Sequence, residues 1–353
     1  MHKALTKGFF PLIMYSMIEL QTPAGPVTGG VPAGAPFTFM EESMSKPFLS
    51  FQDQIGKLRS KNLTISDSAY AERILREIGY FGLIGGYKEP FKNPTTKKYK
   101  DGTTFESIVE LYKFDENLRE LFLKYILKIE RHIRSLLSYY FTAKYGENQC
   151  FYLDANSYVP FPSRSNDISK LIGILTSLAN KNSDYPYINH QRLNYGNVPL
   201  WVLVNGLTFG TLSKFYALVK PDIRTKISEN FDAIKEKQLA QYLKVITKFR
   251  NVCAHNERLF SFQTKNDIPN TILHEKLSIP QKGTQYLYGK RDLFALVIAF
   301  RYLLSDEDFK KFKRSLSLIF SDYLSKEHSL SQEDIYALMG FPPNWKNITR
   351  YKK

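Results

Sequence analysis

The chain has 353 residues, of which 43% are hydrophobic, so it can bury the core of one large domain or two ordinary ones. Lys and Arg outnumber Asp and Glu by 49 to 34, and this net charge of +15 is spread along the chain. Such a charge favours a polyanionic partner, usually nucleic acid, although a solubility requirement would produce the same excess. The two cysteines, Cys150 and Cys253, lie far apart and belong to no CxxC pair or zinc-spaced cluster, which fits a reducing cytoplasm.

The first 43 residues differ in character from the rest. The apolar run Gly8–Leu20 is 13 residues long, whereas a membrane-spanning helix needs roughly 20. Lys3 and Lys7 precede it as in a signal peptide, but the cleavage site that should follow is only weakly marked. The Pro/Gly-rich stretch Thr22–Phe37 holds no regular element. We expect residues 1–43 to be a disordered or appended segment without a membrane span.

Helical patterns fill the chain from Phe48 onward. The first helix begins at Ser66–Ser68, where Ser and Asp can cap free backbone N–H groups. The longest runs over Asp115–Tyr145 with apolar residues at 3.6-residue spacing, and Gly146 ends it. Further helices are predicted at Ser165–Asn180, from Pro199, at Leu212–Val219 until Pro221 breaks the pattern, and at Ile234–Phe260, Arg291–Leu304 and Asp306–Ser325.

Strand signals are few and short, at Ile268–Leu273 and Tyr286–Tyr288, and strands do not alternate with helices. The predicted fold class is therefore all-α. We expect one helical domain over residues 44–330, followed by a short helix and a polar tail over 331–353.

The common catalytic and metal-binding motifs are missing from the sequence. It contains no phosphate-binding loop of the GxxxxGK[ST] type and no GxGxxG, HExxH, GxSxG or EF-hand motif. No two of its six histidines lie three or four residues apart, so no helical metal site built on paired histidines is supported. We expect neither a metal nor a cofactor.

The most informative stretch is 248–260, KFRNVCAHNERLF. On a helix, Asn251 and His255 are four residues apart and share a face, while Arg250 lies about 140° from His255, at the edge of that face. Lys248 and Arg258 add positive charge nearby.

This set of side chains suits RNA cleavage by the neighbouring 2′-OH. A histidine titrates near neutrality and can move the protons, an arginine can bind the phosphate in a bidentate manner, and Asn251 can orient the imidazole or donate to the phosphate. Base and acid roles usually need two groups, and a two-fold dimer would supply the second histidine. Spacing alone also allows a structural role, since a His next to Cys253 and Leu259 is commonly a hydrogen-bonded core residue.

The motif resembles that of a known class of ribonucleases. Arg250-Asn251-x-x-x-His255 matches the R-x(4–6)-H motif of HEPN-domain ribonucleases, and no other histidine has an Arg at that spacing. Each chain therefore carries one motif, as in HEPN proteins that complete their site by homodimerisation.

The wider chain resembles the Abi family of bacterial abortive-infection proteins, in the AbiD/AbiF-like group. The resemblance covers about residues 46–262 and continues more weakly to about 325. Its elements occur in the family's order at Lys46–Phe48 with Ile65–Asp67, Tyr80–Phe91, Phe105–Arg119, Ile129–Arg134, Pro199–Tyr216 and Arg250–Leu259.

The resemblance implies a HEPN-like helical bundle core, a cytoplasmic toxin of phage defence or a toxin–antitoxin pair, and RNA cleavage that leaves a 2′,3′-cyclic phosphate. It also implies a structured small RNA that restrains the toxin. Within the Ile129–Arg134 element it points to Glu130 as a supporting residue and to Arg131 and Arg134 as RNA contacts. Glu130 and Arg134 are four apart, so an ordinary helix-surface ion pair worth a few tenths of a kcal/mol is the alternative.

Three functions remain open at this point. The first is a toxic endoribonuclease with Arg250, Asn251 and His255 as its catalytic residues. The second is a non-catalytic protein whose basic surface binds a structured small RNA, while the motif only contacts phosphate. The predicted RNA-binding residues are Lys248, Arg258, Arg131 and Arg134. The third is a protein-interaction module in a defence complex.

Overall fold

The computed structural model describes residues 47–352, and the prediction for residues 1–43 lies outside this part. From Leu49 onward the chain forms one compact unit. The all-α prediction is confirmed, because helices dominate and the sheet has only two strands. The α-helices are α1 Phe51–Arg59, α2 Ser68–Ile78, α3 Phe105–Tyr145, α4 Cys150–Leu153, α5 Ser165–Asn180, α6 Pro186–Tyr195, α7 Leu200–Leu203, α8 Phe209–Leu218, α9 Pro221–Ser228, α10 Glu236–Ala254, α11 Ile272–Lys276, α12 Leu293–Leu303, α13 Asp306–Lys326 and α14 Gln332–Met339.

Shorter elements connect these helices. Strand β1, Gln281–Lys282, pairs antiparallel with β2, Gln285–Tyr286. Of the strand predicted at Tyr286–Tyr288, only Tyr286 lies in a strand. The segment Ile268–Leu273, also predicted as a strand, does not form one. A π-helical turn covers Phe81–Gly85, and 3-10 turns lie at Glu89–Phe91, Ala155–Ser157, Pro162–Arg164, Val204–Gly206 and Trp345–Arg350.

Helix α3 is the central element, with 41 residues and a length of about 61 Å. Its N-cap is Thr104, whose side chain accepts a hydrogen bond from the Ser107 N–H, and Gly146 ends it at a φ of 97°. The helix therefore begins ten residues before the predicted start at Asp115. An aspartate before an apolar stripe is typical of a cap, but Asp115 is fully buried inside the helix.

The core forms where other helices pack on α3. Helices α7, α8, α9, α10 and α13 all contact it, and α10 also contacts α8, α9 and α12. Every residue of α12 is buried, as its apolar sequence predicts. Pro221 does break the preceding helix, yet it also starts α9 at the first-turn position where a proline is favoured, and that helix was not predicted.

Helix α10 ends at Ala254 rather than at the predicted Phe260. Asn256 adopts the left-handed conformation at a φ of 56°, and the Glu257 N–H donates to the Val252 carbonyl at 3.0 Å. This pairing is the 6→1 hydrogen bond of the Schellman motif, in which a left-handed residue ends the helix and a terminal carbonyl gains a donor. Leu259 and Phe260 continue the apolar pattern because they are buried in the loop that follows, not because they are helical.

The end of the chain is only partly polar. The short helix predicted there is α14, but it is followed by Trp345 and Ile348, which are both fully buried. Within residues 47–352, no helix combines the length and apolar character that crossing a membrane requires. The same residues contain no cluster of three His, Cys, Asp or Glu side chains arranged to hold a metal ion.

Candidate functional site

The motif predicted from the sequence lies at the C-terminal end of α10. Val252 and Cys253 point into the core, Arg250 is half-buried, and Asn251 and His255 are exposed. His255 is the C-cap residue, and its backbone N–H donates to the Asn251 carbonyl at 2.9 Å. The four-residue spacing therefore places Asn251 and His255 in successive turns on the open side of the helix end.

A carboxylate on α3 lies beside Arg250. Its Nε lies 3.9 Å from Oε2 of Glu130, whose side chain is only 3% exposed. The same carboxylate accepts a hydrogen bond from Arg134 Nη2, which also donates to the Leu207 carbonyl at 2.7 Å. The structure thus brings Arg250, Glu130 and Arg134 together, and it joins two segments that are far apart in sequence.

The Glu130–Arg134 pair is not the helix-surface ion pair that spacing alone allows, because Glu130 is buried. Burial raises the pKa of the Glu130 carboxyl, while the charges of Arg134 and Arg250 act in the opposite direction. Among the described residues, neither Glu130 Oε2 nor Arg250 Nε has a hydrogen-bond partner. Glu130 therefore holds Arg134 tightly and Arg250 loosely, and the Arg250 side chain keeps 30% of its surface exposed to a ligand.

A second buried carboxylate fixes the chain just past the helix end. Asp115 accepts hydrogen bonds from the Tyr87 hydroxyl at 2.7 Å and from Arg119 Nη1 at 2.8 Å. It also accepts from the backbone N–H groups of Leu259 at 2.9 Å and Phe260 at 2.6 Å. Burial raises the pKa of this carboxyl, and the Arg119 charge and the hydrogen bonds from Leu259, Tyr87 and Phe260 oppose the rise. Asp115 is therefore a positioning residue for the stretch that carries the motif.

Spacing arguments did not find this role for Asp115. Asp115 was predicted as the start of the longest helix, and both Asp115 and Arg119 belong to the segment Phe105–Arg119 that carries the family resemblance. The signal available was an Asp–Arg pair four residues apart inside an apolar helix, where an exposed pair is not expected.

The remaining predicted RNA-contact residues are placed in different surroundings. Lys248 is exposed on α10. Arg258 is exposed, and its Nη1 donates to the Gly86 carbonyl at 2.6 Å, which ties it to the glycine-rich turn after α2. Arg131 lies about 100° around α3 from Glu130 and lines a separate cavity of about 660 Å³.

That cavity contains a second histidine, which the motif does not use. The ring of His132 lies 5.1 Å from that of Phe231, and burial lowers the pKa of His132. Acidic side chains also line the cavity, and one of them, Asp308, pairs with Lys128 at 2.5 Å. The structure therefore separates Arg131 from the group formed by Arg250, Glu130 and Arg134.

One protein-family model matches the part of the chain that carries the motif and the residues around it. The family model Abi_2, described as Abi-like protein, matches residues 73–261, which is more than half of the chain. The matched region runs from α2 to just past α10 and contains Asp115, Glu130, Arg250 and His255. Neither a search of curated proteins nor a search of solved structures found a match.

Proposed function

Because the chain belongs to the Abi-like protein family, whose name refers to abortive infection, we propose that it is a metal-independent endoribonuclease toxin of phage defence. The observation that carries the proposal is the placement of Arg250. Its side chain is 30% exposed beside a buried carboxylate, on the same helix end as the exposed residues Asn251 and His255.

Each of these residues has a role that its position suits. The 2′-OH of the RNA attacks the adjacent phosphorus, its proton passes to a base, and the P–O5′ bond breaks as the 5′ oxygen gains a proton. His255 serves these proton transfers, Arg250 stabilises the charge on the phosphate, and Asn251 orients the imidazole or donates to the phosphate. The products are a 2′,3′-cyclic phosphate and a 5′-hydroxyl. Glu130 does not touch the RNA and acts by positioning Arg250.

The proposed active form is a homodimer. One chain supplies a single His255, whereas the reaction needs a base and an acid. A two-fold axis near the end of α10 places two copies of the motif on one cleft. Mass measurement in solution should therefore show a dimer at micromolar concentration, and a strictly monomeric protein that still cuts RNA would contradict the shared cleft.

The proposal includes a compartment and two RNA partners. We expect it to act in the cytoplasm on RNA and to be restrained by a structured small RNA. The charge of +15 supports binding to both RNAs.

The decisive experiment incubates the purified protein with total RNA in the presence of EDTA. Wild type should yield fragments that end in 2′,3′-cyclic phosphate, and His255→Ala should yield none. His190→Ala, another exposed histidine on α6, is the matched control and should cut like wild type. An identical fragment pattern for His255→Ala and wild type would show that the nuclease proposal is wrong.

The second candidate is a non-catalytic protein that binds a structured small RNA. The long 3.9 Å approach of Arg250 to Glu130 also fits an arginine that merely contacts phosphate. This function predicts no cleavage by wild type, together with RNA affinity that falls steeply as salt rises. A weak salt response without cleavage would instead favour a protein partner.

A further inference from the structure

The residue that follows His255 has an uncommon backbone conformation. Asn256 lies in the left-handed region at a φ of 56°, which residues other than glycine rarely adopt. Its side chain is exposed and makes no hydrogen bond to the described residues. No side-chain contact therefore accounts for the conformation, which must come from the path of the chain on either side.

The chain is fixed in the core both before and after Asn256. Before it, Val252 and Cys253 are buried on α10. After it, Leu259 is fully buried, and its N–H donates to the Asp115 carboxylate at 2.9 Å. The backbone must therefore turn between Cys253 and Leu259, and the left-handed residue of that interval is Asn256.

One backbone hydrogen bond closes this turn around His255. The Glu257 N–H donates to the Val252 carbonyl at 3.0 Å, and this pairing requires a left-handed residue directly before the donor. His255 lies within the closed turn, between the last residue of α10 and Asn256. A change of φ at Asn256 therefore opens the hydrogen bond and redirects the backbone from which the imidazole projects.

We infer that Asn256 is the positioning residue of His255 and that it acts through its left-handed backbone rather than through its amide group. The inference rests on the proposed function for the catalytic role of His255, and it adds a fourth position to the motif. It also determines which residue types position 256 accepts. Gly and Asn enter the left-handed region readily, Ala less readily, and a β-branched residue such as Val least of all.

A direct contact between the Asn256 amide and the RNA is the alternative role. The two roles predict different orders of activity in a substitution series. If the backbone conformation matters, Asn256→Gly cuts RNA like wild type, Asn256→Ala cuts more slowly and Asn256→Val is the slowest. If the amide matters, all three variants lose activity to a similar extent, because each of them lacks the amide.

The series is measured as cleavage of an end-labelled oligoribonucleotide in the presence of EDTA. Asn256→Val should lower kcat by about 100-fold, which is the effect of displacing a reacting group by about 1 Å. Its KM should stay close to the wild-type value, because Arg250 and Lys248 lie on α10 before the turn and keep their places. Asn256→Gly should retain both wild-type values.

Ser278 provides a matched control for the backbone strain itself. It is exposed and left-handed at a φ of 54°, and the Ile279 N–H that follows it donates to the His274 carbonyl at 3.0 Å. Ser278→Val therefore introduces the same strain at the end of α11, outside the motif. It should cut RNA like wild type, which would show that strain alone does not slow the reaction.

Two NMR measurements report on the geometry without any cleavage. The Glu257 amide should exchange with solvent about 5- to 30-fold faster in Asn256→Val than in wild type, which is the cost of the left-handed conformation expressed as a ratio of rates. The imidazole signal of His255 is identified by its absence in His255→Ala. It should move in Asn256→Val and stay near its wild-type position in Asn256→Gly.

The inference is overturned if Asn256→Gly loses as much activity as Asn256→Val, because the amide would then be the functional group. It is also overturned if Asn256→Val leaves both the imidazole signal and the cleavage rate unchanged, or if Ser278→Val cuts as slowly as Asn256→Val. A wild type that does not cut RNA, together with an imidazole signal that moves in Asn256→Val and not in Asn256→Gly, would reject the nuclease and support the positioning role.

Discussion

Removing the Asp115 carboxylate tests whether it anchors the chain beyond the motif helix. In Asp115→Ala, Arg119 remains in the core with a side chain that is 4% exposed, and it has lost its ion-pair partner. Two backbone N–H groups, those of Leu259 and Phe260, also lose their acceptor. Breaking a buried pair in this way costs about 3–5 kcal/mol of unfolding free energy, and the unsatisfied donors add to that loss.

Urea unfolding followed by circular dichroism measures this loss. The matched control is Asp322→Ala, which removes an aspartate from an exposed i,i+4 pair with Lys326 and should change stability by less than about 1 kcal/mol. Adding Arg119→Leu to Asp115→Ala should restore part of the stability, because the uncompensated buried charge is then gone.

Amide hydrogen exchange gives the local readout. In Asp115→Ala the amides of Leu259 and Phe260 should exchange much faster than in wild type, and those of α5 should change little. The reasoning is refuted if Asp115→Ala loses no more stability than Asp322→Ala, or if the two amides stay as protected as before.

Three further outcomes follow from burial and backbone geometry. Gly340→Ala should lower the unfolding free energy by about 2–4 kcal/mol, because φ is 74° and the added methyl would lie 2.3 Å from Asp292 Cγ. The control Gly56→Ala adds a methyl with no atom within 4 Å, so it should not lower the unfolding free energy in the same urea titration. Burial raises the pKa of Asp292 to about 6, so its contribution to stability should fall as pH rises from about 4 to 6, and Asp292→Asn should flatten that part of the pH profile. Burial raises the pKa of the Cys253 thiol to about 12, so iodoacetamide at pH 8 should modify the exposed Cys150 alone, as read by mass spectrometry, until urea is added.

Regular helices were predictable where local pattern and capping agree. The bounds of α5, Ser165–Asn180, match the prediction at both ends. The predicted start of α3 and the predicted end of α10 were wrong for the same reason. In both places a residue is buried by tertiary contacts that its local sequence pattern does not report. Asp115 resembles a cap but is a buried acceptor, and Phe260 resembles a helical core residue but is buried from a loop.

The candidate site also has a part that the sequence predicts and a part that it does not. Arg250, Asn251 and His255 are close in sequence, so spacing was sufficient to propose them. Glu130 contacts Arg250 from a distant helix, and no periodicity reports such a contact; only the family resemblance pointed to it.

The two carboxylates on α3 also restrict how the motif can vary in length. Helix α10 packs on α3 where Arg250 lies beside Glu130, and Asp115 holds the chain again at Leu259, from points 15 residues or about 22 Å apart on one rigid helix. An insertion or deletion between Arg250 and Leu259 cannot be absorbed by moving either attachment, so it must displace His255 or release one anchor. In homologous chains, the number of residues between these two positions should therefore be constant even where the residue types differ.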